Sequence, residues 1–525
     1  MKNQLLYFNF KMFGIDAVGN FLNVYSNYNI QPNFSKKFFD NIVIRYDTAV
    51  NKRSREFWDS TRPVPLEAGE MQDYKVKDSI YDANKDSLWS PKAIDSLNKS
   101  RPALKPYKVL FSSIGRTRYR SNGNVYWNVS SIVPNMEYNP AEGVVVNVKG
   151  SISSYVRKWK TNVSFQPNIR YGFSNTHLNA WANLQFRTRD ADADNKIKRY
   201  SWDFAGGKRV SQFNKDSKLL PLVNTISTLF YGNNDMKTYE NYFGSITYQK
   251  RYESGLNLTL NALYENRIPL NNTSNFTIYK EDSIRLTPNY PYEKITSQFT
   301  PHQAMILSAI VSFKPGQRYI QLPYRKVPIG SNYPTFTIAY TKGIEGIAGS
   351  DVNFDKWRFS VRDDKNLRLA GEFKYHLGAG GFFNTRKVFI QDYQHFNGNR
   401  SVAASEYLNS FQLASFYANS TTASSFLFGH VEHHFNGLLT NKIPLFKRLN
   451  WNLVAGSNAF YVNNSNHHLE LFAGIENILK VFRVDFVAAF ENGEPGRTGI
   501  RIGAGGILGG SINVNRSSNT ATVSF

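Results

Sequence analysis

The chain has 525 residues, a formal charge of +23 from 63 Lys and Arg against 40 Asp and Glu, and 15% aromatic residues. Its mean hydropathy is −0.44 and no apolar run approaches the roughly 20 residues of a membrane helix, which argues against a helical membrane protein. The lack of cysteine excludes disulfides, thiolate metal sites and cysteine catalysis, and the basic excess is spread too thinly for a nucleic-acid surface, fitting anionic lipopolysaccharide head groups or an anion-favouring lumen better.

Residues 1–110 differ from the rest. Segments 8–25 and 34–46 mix aromatic and polar residues without sustained alternation. Pro63 and Pro65, one residue apart, hold the piece around them extended and keep a helix from crossing it. Residues 67–81 are polar, with Glu70, Asp73 and Asp78, and residues 92–99 read as a short helix before Pro102. The start, Met1-Lys2-Asn3-Gln4, lacks the apolar stretch of a signal peptide, so the numbering is expected to begin inside a longer precursor. This part reads as a mixed periplasmic segment or a plug at the mouth of a barrel formed by the remaining chain.

From about Asn124 to Gly505 apolar and polar residues alternate with period two. Val144, Val146 and Val148 oppose Val145, Asn147 and Lys149; Leu178, Ala180, Ala182, Leu184 and Phe186 oppose Asn179, Trp181, Asn183, Gln185 and Arg187. Leu256, Leu258, Leu260, Ala262 and Tyr264 oppose Asn257, Thr259, Asn261 and Glu265. The same pattern is read around Trp357, through Leu367 to Leu377, from Leu449 to Ala455, and at Leu469–Ile475 and Phe482–Phe490. Successive side chains of a strand point to opposite faces, so each segment has one apolar and one polar face. Segments of about ten residues, long for a soluble strand and enough for a tilted strand to cross a bilayer, favour a membrane barrel over a sandwich. The expected fold is all-β, a transmembrane antiparallel barrel of about 16 strands over residues 111–525, with short periplasmic turns and long extracellular loops such as 212–238 and 268–302. The terminal Phe525 resembles the signal that ends such barrels.

Two stretches resemble a known family. Trp58, Asp59, Arg62, Pro63, Pro65 and Leu66, with Glu70, Tyr74 and Asp78 after them, resemble the linker before the barrel in a family of Bacteroidota-type outer-membrane proteins that carry a carboxypeptidase-regulatory-like domain first. Asp392, Tyr393, His395, Phe396, Asn397, Gly398 and Asn399 resemble that family's late barrel loop. A more distant resemblance is to BamA-like assembly and translocation barrels, in which one late loop folds into the lumen; the position of residues 380–410 matches, while the Arg-Gly-Phe or Arg-Gly-Tyr tip is missing. These resemblances imply a Gram-negative outer-membrane location and a transport or assembly role, with outer-membrane lipid and periplasmic or outer-membrane proteins as partners. A passive porin-like channel and a non-transporting surface barrel are the alternatives.

The charges expected to face the lumen are Arg187, Lys356, Arg358, Arg362, Arg368, Lys374, Arg483 and Arg501 against Glu265, Glu372, Glu470, Glu476, Asp485 and Glu491. They form either an anion-favouring lining or a mutually neutralising one around a plug. His430, Glu432 and His434, with His468 and Glu470, have the chemistry of a metal site but read as lumenal polar residues bonded to neighbours, and no metal or other cofactor is expected. The runs Gly378-Ala379-Gly380-Gly381 and Gly503-Ala504-Gly505-Gly506 lack phosphate-loop spacing and read as close backbone approach. No nucleophile elbow points to an enzyme.

Overall fold

The structure is a computed structural model that describes residues 3–504 except 13–14, 26–27, 36–37, 47–48, 50–52, 63, 86–89, 102, 189–198, 279–285 and 323–324. It divides into two compact units, residues 1–93 with 318–330, and residues 94–317 with 331–525. The division falls ahead of residue 110 and brings a later hairpin into the first unit.

That first unit holds an antiparallel pair, Asn3–Met12 with Ile15–Val24, in register from Asn3 opposite Val24 to Met12 opposite Ile15. A second sheet sets Ile42–Arg45 parallel to Arg318–Leu322, which pairs antiparallel with Arg325–Gly330. Sequence alternation did not mark the first pair, whose described side chains are largely exposed on both faces, as at Leu5, Leu6, Tyr7 and Val18. The helix Arg55–Thr61 is capped by the Ser54 hydroxyl, which accepts the Phe57 N–H, and stops before the proline pair. After the break Ala68–Lys85 is helical, although residues 67–81 suggested no element: they are mostly good helix formers, and the Glu70 carboxylate accepts the Glu67 N–H at its start. Pro91–Lys99 is the short helix expected before Pro102.

In the second unit eighteen strands among the described residues form an antiparallel β-barrel. Fifteen of them run from Gly143–Val156 to Glu494–Ala504, and three short ones precede these. Two of the short ones, Val125–Val129 and Glu137–Asn139, pair with the two ends of Gly143–Val156 and so lie end to end. His302–Phe313 pairs directly with Thr335–Gly343, the first unit's residues 318–330 lying between them in sequence.

The wall is inverted relative to a soluble protein. On Leu178–Thr188 the buried residues are Asn179, Asn183 and Gln185, while Leu178 is exposed. On Asn466–Ile478 Glu470 is fully buried and its neighbour Leu471 is 48% exposed; on Phe482–Glu491 Asp485 is fully buried and Phe486 is 56% exposed. Polar side chains therefore converge inside and apolar ones cover the outside, the distribution of a barrel meant for an apolar surrounding.

Within the barrel the structure departs from the sequence-based expectation in three places. Leu449 closes the helix Pro444–Leu449 instead of opening a strand; Pro444 favours a helical start, Asn450 reverses the chain at φ 55°, and the strand begins at Asn452 with Val454 inward. Residues 367–371 are a turn with Arg368 at φ 57° and Gly371 at φ 93°, so Leu367 and Leu369 are not wall residues and Arg368 is exposed outside the lumen. The alternation of turn lengths has exceptions at both ends: 435–451 is long on the end with turns 252–255 and 479–481, and 464–465 and 492–493 are short on the end with the long loops.

Two phenylalanine rings lie against glycines of Glu372–Lys387: a Cβ added to Gly378 would run into Phe428, and one added to Gly380 into Phe426. Both rings belong to strand Phe426–His434, and Phe426, Phe428, Phe396, Phe411 and Phe460 form one buried cluster inside the barrel. Replacing Gly380 by Val is expected to destabilise the barrel by about 1–3 kcal/mol through overpacking, read as a lower urea midpoint with unchanged slope.

Candidate functional site

Strands Glu372–Lys387 and Phe426–His434 are joined by residues 388–425, which fill the barrel interior. The segment has little regular structure of its own. Its backbone is satisfied by short internal pairings, such as Gln394 with Thr421, and by side chains of the wall.

Its first anchor is Asp392. The Arg267 guanidinium donates two parallel bonds to this carboxylate, at 2.6 and 2.7 Å, and a third to Glu265 at 3.1 Å. Arg267 and Glu265 are both fully buried. Glu265 in turn accepts from Lys215, Arg209 and Asn241. Such a network is stable only because every buried charge has an opposite one within bonding distance.

The second anchor is Glu470. Its carboxylate accepts the backbone N–H groups of Gln412 and Leu413, each at 2.7 Å, and of Ala414 at 3.2 Å, and also Asn458 and His468. Arg501 donates to the Gln412 carbonyl at 2.8 Å, so one peptide is held from both sides by opposite charges of the wall. Further along, the Tyr407 hydroxyl donates to Asp485 at 2.7 Å, and Arg483 bonds both Asp485 and Glu432. The wall also pairs with the segment through its backbone: Ala404 donates to the Ile502 carbonyl, and Ile502 to that of Val402.

The loop residues singled out from the sequence sit at the centre of this packing. Tyr393 joins an aromatic cluster with Phe213 and Tyr239, and its carbonyl accepts Lys356 at 3.2 Å. His395 bonds Ser420 through Nδ1 at 2.8 Å; burial pulls its pKa down to about 3, with the Lys356 charge acting in the same direction, so the ring is neutral. Phe396 stacks on Phe460 at 4.1 Å. Asn397 donates to the Asn409 carbonyl and accepts from Asn214; Asn399 bonds Ala403 and Ser401; a Cβ on Gly398 would collide with the carbonyls of Ala414 and Ser415.

The wall charges divide into groups. Arg483, Glu470 and Asp485 are buried and engaged as above. Arg358 lies 3.7 Å from Asp216 and over the Phe428 ring, and Arg362 lies 3.7 Å from Glu406, half exposed. Arg187 shares the inward face of Gln185 but is exposed near the strand end. His430 bonds Asn458, and His434 stands between Glu432 and Glu476. The linker residues belong to the first unit: Trp58 and Asp59 lie in Arg55–Thr61, the Arg62 N–H caps the Trp58 carbonyl at 3.0 Å, its guanidinium lies over Tyr74, Pro65 is exposed and Leu66 half-buried. Pro63 lies outside the described residues. Arg267, Tyr407 and Gln412 did not emerge from the sequence; the available signal was that Arg267 stands two residues after Glu265 and so shares its face.

Known proteins offer a family and two folds for comparison. Residues 107–475 match the family described as "Family of unknown function (DUF5686) C-terminal domain". A search of curated proteins found no match. Among solved structures, BamA from Haemophilus ducreyi lacking POTRA domains 1–3 is similar at 10% identity over 78% of each chain, with a TM-score of 0.39. CdiB from Acinetobacter baumannii is similar at 10% identity over 73% of this chain and 62% of that one, with a TM-score of 0.30.

The anchors lead to two expected outcomes. Removing either partner of the Arg267–Asp392 pair leaves a buried charge alone, so Arg267→Leu and Asp392→Leu are each expected to cost about 3–5 kcal/mol in chemical denaturation, and the double variant clearly less than their sum. Because the folded pKa of His395 lies below the ordinary 6.5, the unfolded chain binds the extra proton first as pH falls. Relative to His395→Asn, the native protein is therefore expected to lose about 1.4 kcal/mol per pH unit between 6.5 and 3, with the same pH dependence in both above 7. Parallel denaturation curves across that range check it.

Proposed function

The chain belongs to the DUF5686 C-terminal-domain family, and we propose that it is an integral outer-membrane barrel, closed at rest by its own residues 388–425, that serves transport or assembly and translocation of a cargo. The single observation that carries the reading is the anchoring of that segment to buried wall charges at Arg267, Glu470, Asp485 and Arg501. A freely diffusing solute meets a packed interior here. The lumenal arginines and lysines are largely spent on carboxylates, Arg267 and Arg209 on Asp392 and Glu265, Arg483 on Glu432 and Asp485. That argues against an open, anion-favouring porin.

The membrane part of the proposal rests on the exposed apolar band, with Leu178, Ile246, Leu471, Phe486 and Ile500 on the outside, and on strands of up to 16 residues, more than the about 9–11 a tilted strand needs. Outer-membrane lipid and lipopolysaccharide would surround this band. A protein that keeps its interior plugged does its work either by releasing the plug or at its rim, in both cases with a second macromolecule as cargo or partner.

In a planar bilayer the purified full chain is expected to show no steady conductance, and deletion of residues 391–400 to open one. A large steady current through the unaltered protein would favour the porin instead. Recovery in the soluble fraction, without heat-modifiable gel migration, would overturn the membrane reading altogether.

A further inference from the structure

Beneath the plug the barrel retains a cavity of about 490 Å³, within the range of small-ligand sites. Its roof is formed by Gln391, Gln394 and His395 of the anchored segment and by Lys215 and Asp216; its wall by positions on seven neighbouring strands, among them Trp181, Asn183, Thr247 and Asn261. The wall positions run from mid-strand, as at Asn183 and Asn261, to the end that carries the long loops, as at Gln212 and Phe354.

One observation marks this space as more than leftover volume. Gln391 is 4% exposed, and neither its amide nitrogen nor its amide oxygen has a hydrogen-bond partner. The Gln394 amide donates to the His395 carbonyl, but its oxygen also has none. Burying an unpaired amide costs about 1–3 kcal/mol, and three such atoms meet at one cavity. Of the charged groups around it, Lys356 donates to the Tyr393 carbonyl at 3.2 Å and most of the others are matched already. Arg209 and Lys215 share Glu265, Asp392 faces Arg267, Asp216 lies near Arg358, and Asp203 accepts from Gln185. What the two amides lack is a neutral group that both donates and accepts.

We propose that this cavity binds a neutral saccharide of one or two rings. A pyranose offers adjacent hydroxyls, each donor and acceptor at once, to Gln391 and Gln394, and an apolar C–H face to the indole of Trp181. A peptide fits less well. Peptides bound in extended form are recognised largely through backbone edges, and here the backbone of Leu178–Thr188 and its neighbours is used up in ladders on both sides. The inference goes beyond the transport reading and does not depend on it, since binding needs no conductance.

The test is isothermal titration of the full chain, purified in a zwitterionic detergent that carries no sugar, with maltose, N,N′-diacetylchitobiose and trialanine as probes. Saturable binding of at least one disaccharide is expected, weakened about tenfold or more by Gln391→Leu and also by Trp181→Leu, with heat-modifiable migration retained. The two variants lie on different elements, plug and wall, so a local folding defect in one leaves the other informative. Absence of binding by both disaccharides, binding of trialanine in their place, or disaccharide binding unchanged in both variants would overturn the proposal.

Discussion

The structure depends on pairing charges that have been taken out of water. Arg267 has no access to solvent, and its guanidinium is divided between Glu265 on its own strand and Asp392 on the inserted segment. Either carboxylate alone would leave donors of the guanidinium unsatisfied in a medium of low dielectric. The wall and the segment are thus mutually dependent: the barrel interior is tolerable because the segment fills it, and the segment, with hardly any regular structure, is ordered because the wall supplies its partners. Glu470 repeats the logic with backbone, one carboxylate collecting three successive N–H groups of the segment.

The inverted wall explains why the pairing must be so complete. A soluble protein can leave a charged face in water, whereas here the exposed face is apolar and the charged face is enclosed. Polar groups inside have only each other, the segment, or whatever enters. Between the two anchors the enclosure is well packed, as the stacking of Phe396 on Phe460 and the edge-on contact of Phe411 with Phe460 show. Beside Gln391 it is not, and there amide groups face empty volume. The contrast separates the part of the interior that holds the segment from the part that can receive a ligand.

The residues that were readable in advance have a common property: their environment repeats with the strand period. Leu469, Glu470, Asp485 and Phe486 take the faces that alternation assigns them. Where the chain leaves that period the reading failed. Residues 367–371 look alternating but turn, because Arg368 and Gly371 adopt left-handed conformations that the hydropathy pattern does not register. Leu449 looks like the start of a strand but lies at the end of a helical turn begun by Pro444. The hairpin at Asn3–Met12 was missed for the opposite reason, since a strand exposed on both faces has no reason to alternate.

By itself the sequence determined that the chain is a long antiparallel sheet with one apolar and one charged face, since period-two patterning is a local property of extended backbone and survives in any register. It also carried the loop 392–399 through its resemblance. Only the tertiary structure decided which inward charge meets which, because Arg267 and Asp392 are 125 positions apart and nothing in either neighbourhood names the other. The same holds for the cavity under Gln391. An unpaired amide is defined by what fails to reach it, and that is settled by the packing of strands distant in sequence.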